Sequence, residues 1–235
     1  GTLVLTRPSA SSGSTLTWES GTQESITWDT KGDIGHVKLY YSKDNGSDLY
    51  SNVIDETGDI DAGTGNGSHL WTIPSDASPF KTGDKGKNPQ IKIKLVSATD
   101  NTINSFSVQA LTIKSKLLNI VPNSGKIFVG TANYDISWET KGDVPTVNIK
   151  YDTAAGTGGY TGGIQSGLSN PKTSGQSNTY TWPQITCPLG TQIRIKVESA
   201  EYPSDILVES QDLTAKGILR ITKPDAANRT NNALI

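Results

Sequence analysis

Apolar and polar residues alternate along most of this chain with a period of two. Ile26 and Trp28 face one way in one segment, and Val37, Leu39 and Tyr41 do so in the next. Because successive side chains of an extended strand point to opposite sides, this pattern predicts strands with one buried and one solvated face. About seven such segments per hundred residues, without a helical window, favour antiparallel β-sandwiches, and a small barrel is the alternative.

The alternating pattern occurs in two copies. Residues 26–33 (Ile-Thr-Trp-Asp-Thr-Lys-Gly-Asp) recur as residues 136–143 (Ile-Ser-Trp-Glu-Thr-Lys-Gly-Asp), an offset of 138 − 28 = 110. Residues 91–98 recur as residues 193–200, at an offset of 193 − 91 = 102. A fixed spacing of this length is typical of tandem domains, so the second copy is expected to repeat the fold of the first.

The change of offset predicts where the copies differ. The second copy is eight residues shorter between Tyr41 and Ile91, where both copies are rich in Gly, Ser, Asn and Asp, as expected of a surface loop. Upstream of the tryptophan motif, the offset of 110 aligns Trp18 with Phe128. We therefore expect these two aromatic residues to occupy equivalent positions.

A third, partial copy predicts the domain boundaries. Residues 3–8, 118–122 and 219–224 each form a short alternating segment that ends in proline, which suits an edge strand that opens a domain. Almost no linker separates the copies, so an extended, semi-rigid rod is expected. The third copy breaks off, which indicates a longer parent chain. The predicted units are a first domain at 1–116, a second at 117–218, and the first strand of a third repeat or a tail at 219–235.

Composition and charge exclude several classes of protein. The chain has 21 basic and 23 acidic residues and a net charge of −2, without a cationic run, so nucleic acid is not an expected partner. It has one cysteine, Cys187, which we interpret as a small buried apolar residue, and it therefore has no intrachain disulfide. No stretch has the roughly 20 apolar residues of a membrane span, and no signal peptide is recognisable at Gly1.

Four tryptophans are the first candidates for a binding role, because aromatic faces stack on the apolar faces of sugar rings. Trp28 and Trp138 alternate in phase with core isoleucines, which favours a place in the core of each sandwich. Trp71 and Trp182 also correspond, and each lies near a proline. We interpret all four as structural, with glycan stacking as the alternative.

An acidic segment at residues 55–68 is the candidate metal site. Asp55, Asp59 and Asp61 supply the oxygen ligands that Ca²⁺ prefers, and their spacing does not follow the EF-hand pattern. The alternative is a solvated loop without a ligand. The sequence therefore suggests calcium as a cofactor, with these three carboxylates as its ligands.

No combination of residues supports a catalytic site. His36 and His69 are the only histidines, and neither has a counterpart in the second copy. The glycine-rich residues 156–163 lack the lysine and following helix of a phosphate-binding loop, and we predict a flexible loop there. We expect the chain not to be an enzyme.

The order of these features resembles a known family. A strand ending in Pro8, the Ile-x-Trp motif at Trp28, the Gly32-Asp33 turn and the strand that opens at Ile91 are similar to the immunoglobulin-like (Ig-like) module of the Ser/Thr-rich cell-wall family. That module occurs in fungal proteins of β-1,6-glucan assembly and in tandem in large bacterial surface proteins. The resemblance covers residues 1–218; the second copy departs from it where Pro183 directly follows the tryptophan.

The resemblance implies an all-β fold of tandem Ig-like antiparallel β-sandwiches and an extracellular or cell-surface location. It implies no catalytic residue. The expected function is a structural repeat region of a surface protein, such as an S-layer or cell-envelope component, with neighbouring repeats, self-association or cell-wall glycan as partners. An adhesin or glycan-binding module, and an accessory array of a secreted enzyme, are the alternatives.

Overall fold

Every regular element of the chain is a β-strand in the residues that the structure describes. The structure is a computed structural model, and it describes residues 1–8, 16–74, 91–130, 133–154, 157, 159–171, 176–185 and 187–218. The third partial copy at 219–235 lies outside these residues. The described residues contain no helix long and apolar enough to cross a membrane.

The first unit is built from nine strands, seven of which form two facing sheets. One sheet has the order β1-β3-β6 and the other has the order β5-β4-β7-β8, while β2 and β9 form a parallel pair. Side chains of both sheets meet in one core that includes Ile26, Leu39 and Ile93, each fully buried. The strands are β1 Thr2–Arg7, β2 Thr17–Glu19, β3 Gln23–Lys31, β4 His36–Ser42, β5 Asn52–Asp61, β6 Asn66–Thr72, β7 Lys92–Ser97, β8 Asn104–Phe106 and β9 Thr112–Lys114.

The second unit repeats this arrangement with its own core. One sheet has the order β10-β12-β15; the other has the order β11-β18-β16-β13-β14, with β17 also paired to β16. Ile136, Ile149 and Ile195 occupy the positions of the three core residues named for the first unit, and each is fully buried. The strands are β10 Lys116–Val121, β11 Gly125–Val129, β12 Tyr134–Lys141, β13 Thr146–Asp152, β14 Gly162–Ser169, β15 Ser177–Trp182, β16 Gln192–Ser199, β17 Leu207–Glu209 and β18 Leu213–Gly217.

The predicted fold class is confirmed: the chain is all-β, with tandem Ig-like sandwiches whose core strands alternate as the sequence indicated. Most strand pairs are antiparallel, but each unit also has one parallel pair, β2 with β9 and β11 with β18. The predicted loop at 55–68 is wrong, since β5 and β6 occupy most of this segment. β5 does not show a clear alternation of apolar and polar residues, because it is an exposed strand at the edge of a sheet and is rich in acidic residues.

The alignment of Trp18 with Phe128 is also wrong, by one residue. Trp18 is paired with Ile113 in the first unit, and Ile127 is paired with Ala215, the counterpart of Ile113, in the second. Trp18 and Ile127 are buried, whereas Phe128 is 43% exposed. Because a shift of one residue moves a side chain to the other face of a strand, Phe128 points away from the core.

The length difference between the copies falls late in the predicted interval. Trp71 on β6 and Trp182 on β15 are equivalent, because these strands pair with the equivalent strands β3 and β12, and their offset is 182 − 71 = 111. At Ile91 and Ile193 the offset is 193 − 91 = 102. The second unit is therefore shorter between its tryptophan and its next core strand. Residues 75–90 of the first unit, where the extra length lies, are outside the described residues.

The two units meet at a short joint. In the described residues, all strand pairs lie either within β1 to β9 or within β10 to β18, and Ser115 alone separates these sets. The Ser115 hydroxyl donates a hydrogen bond to the carbonyl oxygen of Asp143, 3.0 Å away. Lys116 forms an ion pair of 2.9 Å with Glu19 across the joint. A turn of the second unit thus lies against the end of the first.

Candidate binding surface

The three candidate calcium ligands lie along β5. Asp55 accepts hydrogen bonds from the backbone N–H and the hydroxyl of Thr57, at 3.0 and 2.7 Å, and Asp61 accepts one from the N–H of Gly63 at 2.8 Å. Asp59 is exposed. Among the described residues, no group of three or more acidic, histidine or cysteine side chains is arranged to hold a metal ion. Calcium binding therefore stays a prediction from the sequence.

The four tryptophans are structural, as the sequence indicated. Trp28 and Trp138 are at most 1% exposed, and their indole N–H groups donate hydrogen bonds of 2.9 Å to the carbonyl oxygen of Ala62 and to Oδ1 of Asn170. Trp71 and Trp182 are 5% exposed. Their rings lie 5.3 and 5.5 Å from the rings of two tyrosines, Tyr41 and Tyr151, at equivalent positions. None of these four indoles is available to stack on a sugar.

Cys187 and the histidines have no arrangement that suggests chemistry. Cys187 is buried in the second core, as predicted, and burial raises the pKa of its thiol. His36 is exposed at the start of β4, and His69 is partly buried on β6. The loop predicted at residues 156–163 is wrong at its end, where β14 begins at Gly162, and residues 156 and 158 lie outside the described residues.

A pair of equivalent tyrosines was missed by the sequence comparison. Tyr50 and Tyr160 have the offset of 160 − 50 = 110, and each precedes the edge strand of its larger sheet, β5 or β14. Both have a left-handed backbone, with φ of 59° and 55°. The shared conformation places each ring over the outer face of the sheet, where Tyr50 contacts Phe106 on β8 and Tyr160 contacts Lys196 on β16.

Polar side chains hold the loop that presents Tyr50. The buried hydroxyl of Ser42 accepts hydrogen bonds from the backbone N–H groups of Asp44 and Gly46, at 3.2 and 2.6 Å. The Asp48 carboxylate accepts three more, among them one of 3.1 Å from the N–H of Tyr50. Burial alone would raise the pKa of Asp48, but these hydrogen bonds outweigh it and lower the pKa below its ordinary value. The loop is therefore held in this conformation by hydrogen bonds to its own polar side chains.

A row of aromatic and apolar side chains crosses the outer face of the first unit's larger sheet. Strand pairing places Val53, Tyr40, Lys94 and Phe106 side by side on β5, β4, β7 and β8. The Tyr50 ring lies 5.1 Å from the Phe106 ring at an interplanar angle of 48°. The Lys94 ammonium lies 5.8 Å from the same ring, a cation–π distance. We call these five residues the aromatic row.

Exposed apolar residues lie in the aromatic row and close to it in sequence. Val53 and Phe106 are 45% and 43% exposed, and Leu49 and Val108, close in sequence to the row, are 85% and 87% exposed. Burial raises the pKa of Tyr50, and the nearby Asp48 adds to this effect, so the phenol stays neutral at physiological pH. The surface thus combines accessible apolar area with phenol and ammonium groups that can donate hydrogen bonds.

The same row in the second unit is charged. Gly163, Lys150, Lys196 and Glu209 are its paired residues. Glu198, one row further along β16, is 2% exposed and lies 2.6 Å from the Lys150 ammonium and 2.7 Å from that of Lys196. Burial opposes ionisation of this carboxyl, but the two ammonium groups outweigh it and lower its pKa. The second unit thus neutralises its own cations on this face.

Sequence comparison could have found part of this surface. The match of residues 50–54 (Tyr-Ser-Asn-Val-Ile) with residues 160–164 (Tyr-Thr-Gly-Gly-Ile) keeps the offset of 110, but it is short and lies in a polar segment. Nothing in the sequence indicates that Tyr50 reaches across the sheet to Phe106, because the two residues are on opposite sides of β4 and β7 in the sheet order.

Comparisons with known proteins return structural similarity only, as no family model and no curated protein matches the chain. The three N-terminal domains of the highly immunogenic outer capsid protein of bacteriophage RB49 are 12% identical over 85% of this chain, with a TM-score of 0.24. Dimeric latent PorU from Porphyromonas gingivalis is 10% identical over 93% of this chain, with a TM-score of 0.28. The chain covers 56% and 24% of those two structures.

Proposed function

We propose that this chain is a structural, non-catalytic repeat region of a large cell-surface protein, such as an S-layer or cell-envelope component. Its role is to hold successive Ig-like units in a fixed, extended relation. The family resemblance noted in the sequence supports the surface location. The observation that carries the structural role is the joint between the two units.

Packing at the joint centres on one glycine. A Cβ added to the buried Gly142 would lie 2.5 Å from Oγ of Ser115 and 2.8 Å from Oγ of Ser20, closer than such atoms can approach. The neighbouring Lys141 donates a hydrogen bond of 3.5 Å to the carbonyl oxygen of Gly21. Backbone of the second unit therefore packs directly against the first.

Ion pairs add little to the stiffness of the joint. Lys116 and Glu19 are each about half exposed, and Lys114 lies 3.7 Å from Asp205, which is 63% exposed. Exposed pairs of this kind contribute about 0–1 kcal/mol. A linker of one residue and the close packing at Gly142 are the features that restrict rotation of one unit against the other.

The proposal is tested by Gly142→Ala, with Gly32→Ala as the matched control. The two glycines are equivalent, with φ of +78° and +77°, so alanine costs about 1 kcal/mol or more of backbone strain at either position. At Gly32 a Cβ would meet only Gly1, its Cα at 3.2 Å. Only the substitution at Gly142 should disturb the joint.

Small-angle X-ray scattering of residues 1–218 measures the outcome. We expect the wild-type chain and Gly32→Ala to give one extended particle with the same maximum dimension, and Gly142→Ala to give a broader distribution of dimensions. A wild-type chain that already samples many relative orientations would refute the structural role. Equal scattering from both variants would show that packing at Gly142 does not restrict the relative orientation of the two units.

A further inference from the structure

We infer that the far end of the second unit is a docking surface for a further Ig-like unit, one that follows Ile218 in the chain and contacts this surface through apolar side chains. We define the far end by three exposed residues, Phe128, Leu189 and Ile218. The inference rests on the structural role proposed above, because it names the neighbour on the other side of the second unit. It concerns a surface that the joint does not use, so the two can fail separately.

Strand pairing makes the far end the counterpart of the surface that the first unit presents at the joint. The parallel pairs β2 with β9 and β11 with β18 match in register. Phe128 therefore takes the position of Glu19. Ile218 takes the position of Lys116, at the offset of 218 − 116 = 102 that also relates β9 to β18. The joint and the far end are thus two versions of one face.

The far end is apolar where the joint is polar. Glu19 and Lys116 form an ion pair of 2.9 Å at the joint. Their positions at the far end hold Phe128 and Ile218, which are 43% and 54% exposed. Leu189, which lies near the last residue of β18, is 62% exposed. A contact between charges at the joint thus corresponds to an exposed apolar patch at the far end.

The buried serines of the joint are replaced as well. Ser20 and Ser115 are 1% and 4% exposed, and their hydroxyls are the groups that a Cβ at Gly142 would meet. Val129 and Gly217 take their places at the far end. Gly217 cannot form the side-chain hydrogen bond with which Ser115 holds the turn of the second unit. A polar turn would bury its groups there without partners, so an apolar contact face fits the far end better.

At the joint, this face is covered by the unit that follows in the chain. Gly142 is buried there, whereas Gly32, the equivalent residue of the first unit, is exposed. The chain leaves the far end at Ile218, the position from which it enters the second unit at the joint. Residues 219–224 repeat the sequence motif that opens each unit. The interface between the two units therefore indicates what covers the far end.

The size of the patch favours a tethered unit over a free partner. Its three partly exposed side chains offer on the order of 300 Å². Each partner in a stable dimer buries about 800 Å². A unit joined through a short linker is held at an effective concentration of about millimolar, so a small contact is sufficient to orient it. A second copy of the chain has no such advantage.

A chain of three units tests this inference. Residues 1–218 are joined directly to a further copy of residues 117–218, which puts Ile218 in the position of Lys116. Each unit has its own core, so the added copy should fold. Because this copy presents a polar contact face, with Lys141 and Asp205, we expect it to be poorly held at the far end. Small-angle X-ray scattering should then give a broad distribution of maximum dimensions.

Two sets of substitutions should narrow this distribution. Lys141→Leu with Asp205→Leu in the added copy makes its contact face apolar, and should fix the copy to the natural far end. The second set introduces the joint residues into the middle unit, and should fix the unmodified copy: Phe128→Glu, Val129→Ser, Gly217→Ser and Ile218→Lys. Both sets together should broaden the distribution again, because an apolar face then meets a polar one.

Phe106→Glu is the matched control, since Phe106 of the first unit is also 43% exposed. It should leave the scattering unchanged. The inference is overturned if the unmodified copy is already held as narrowly as with the joint residues, or if the apolar copy is held no better than the unmodified one. The structural role fails separately, if residues 1–218 alone are flexible while the apolar copy still narrows the distribution.

Two measurements on residues 1–218 distinguish other roles of the patch. Phe128→Glu with Ile218→Lys should leave the thermal midpoint of the second unit unchanged. A lower midpoint would assign these side chains to the packing of the unit itself and overturn the inference. Sedimentation velocity should show a monomer, and a concentration-dependent dimer that Phe128→Glu dissociates would overturn the inference by reassigning the patch to a second copy of the chain.

Discussion

The buried carboxylate of Glu198 gives the most direct test of the electrostatics. The perturbation is Glu198→Gln, which keeps the shape of the side chain and removes its charge from between Lys150 and Lys196. Loss of one partner from a fully buried ion pair costs about 3–5 kcal/mol. Here the two lysine side chains remain 38% and 15% exposed and regain part of their hydration. We therefore expect a loss of about 1–2 kcal/mol in the free energy of unfolding at pH 7.

The effect depends on pH in a defined direction. The pKa of Glu198 is lower in the folded chain than its ordinary value of 4.5, so ionisation favours the folded state. This stabilisation is fully present above pH 4.5 and is lost as the pH falls through the lowered pKa, because the carboxyl is then protonated in both states. The difference between wild type and Glu198→Gln should therefore shrink below pH 4.

Differential scanning calorimetry of residues 1–218 measures the difference from pH 3 to pH 7, and Ile149→Ala identifies the transition of the second unit. The double variant Glu198→Val with Lys150→Tyr introduces the residues of the first unit, Val96 and Tyr40. It removes the buried charge together with one of its partners, so we expect a smaller loss in the free energy of unfolding than Glu198→Gln causes. Equal stability of Glu198→Gln and wild type at pH 7, or a difference that persists unchanged at pH 3, would refute this account of the ion pairs.

Two further predictions concern buried polar groups of the second unit. Asn170→Ala leaves the Trp138 indole N–H and the Val144 carbonyl without their hydrogen bonds of 2.9 and 2.6 Å, and should cost about 2–4 kcal/mol in urea unfolding; an effect below 1 kcal/mol would contradict it. Cys187, 2% exposed and with a raised thiol pKa, should react with a thiol reagent only after unfolding; rapid labelling of the native chain would contradict its burial.

The regular part of each sandwich could be predicted from residue patterns. Ile26, Trp28 and Leu39 alternate with polar neighbours, and all three are buried in strands of the first unit. Local alternation is sufficient here because one face of each strand is covered and the other is solvated. The β5 strand was missed because its outward residues and several inward ones are polar, so that an edge strand resembles a loop.

The candidate surface could be predicted only in part. The repeated tryptophans drew attention as possible sugar ligands, yet both pairs are buried. Phe106 ends a strand of three residues, which is too short for alternation to distinguish it, and the match of Tyr50 with Tyr160 lies in a short polar segment. Which of two aromatic residues is exposed depends on strand register, as the one-residue error at Phe128 shows.

The sequence by itself determined the tandem all-β fold and the core positions, because a period of two and a repeat at a fixed offset are local properties of the chain. Only the tertiary structure decided which side chains share the outer face of a sheet. Tyr50 and Phe106 are 56 residues apart in the sequence (106 − 50), and strand order with a left-handed turn brings their rings within 5.1 Å. Contacts between distant segments depend on pairing and packing, which no local pattern specifies.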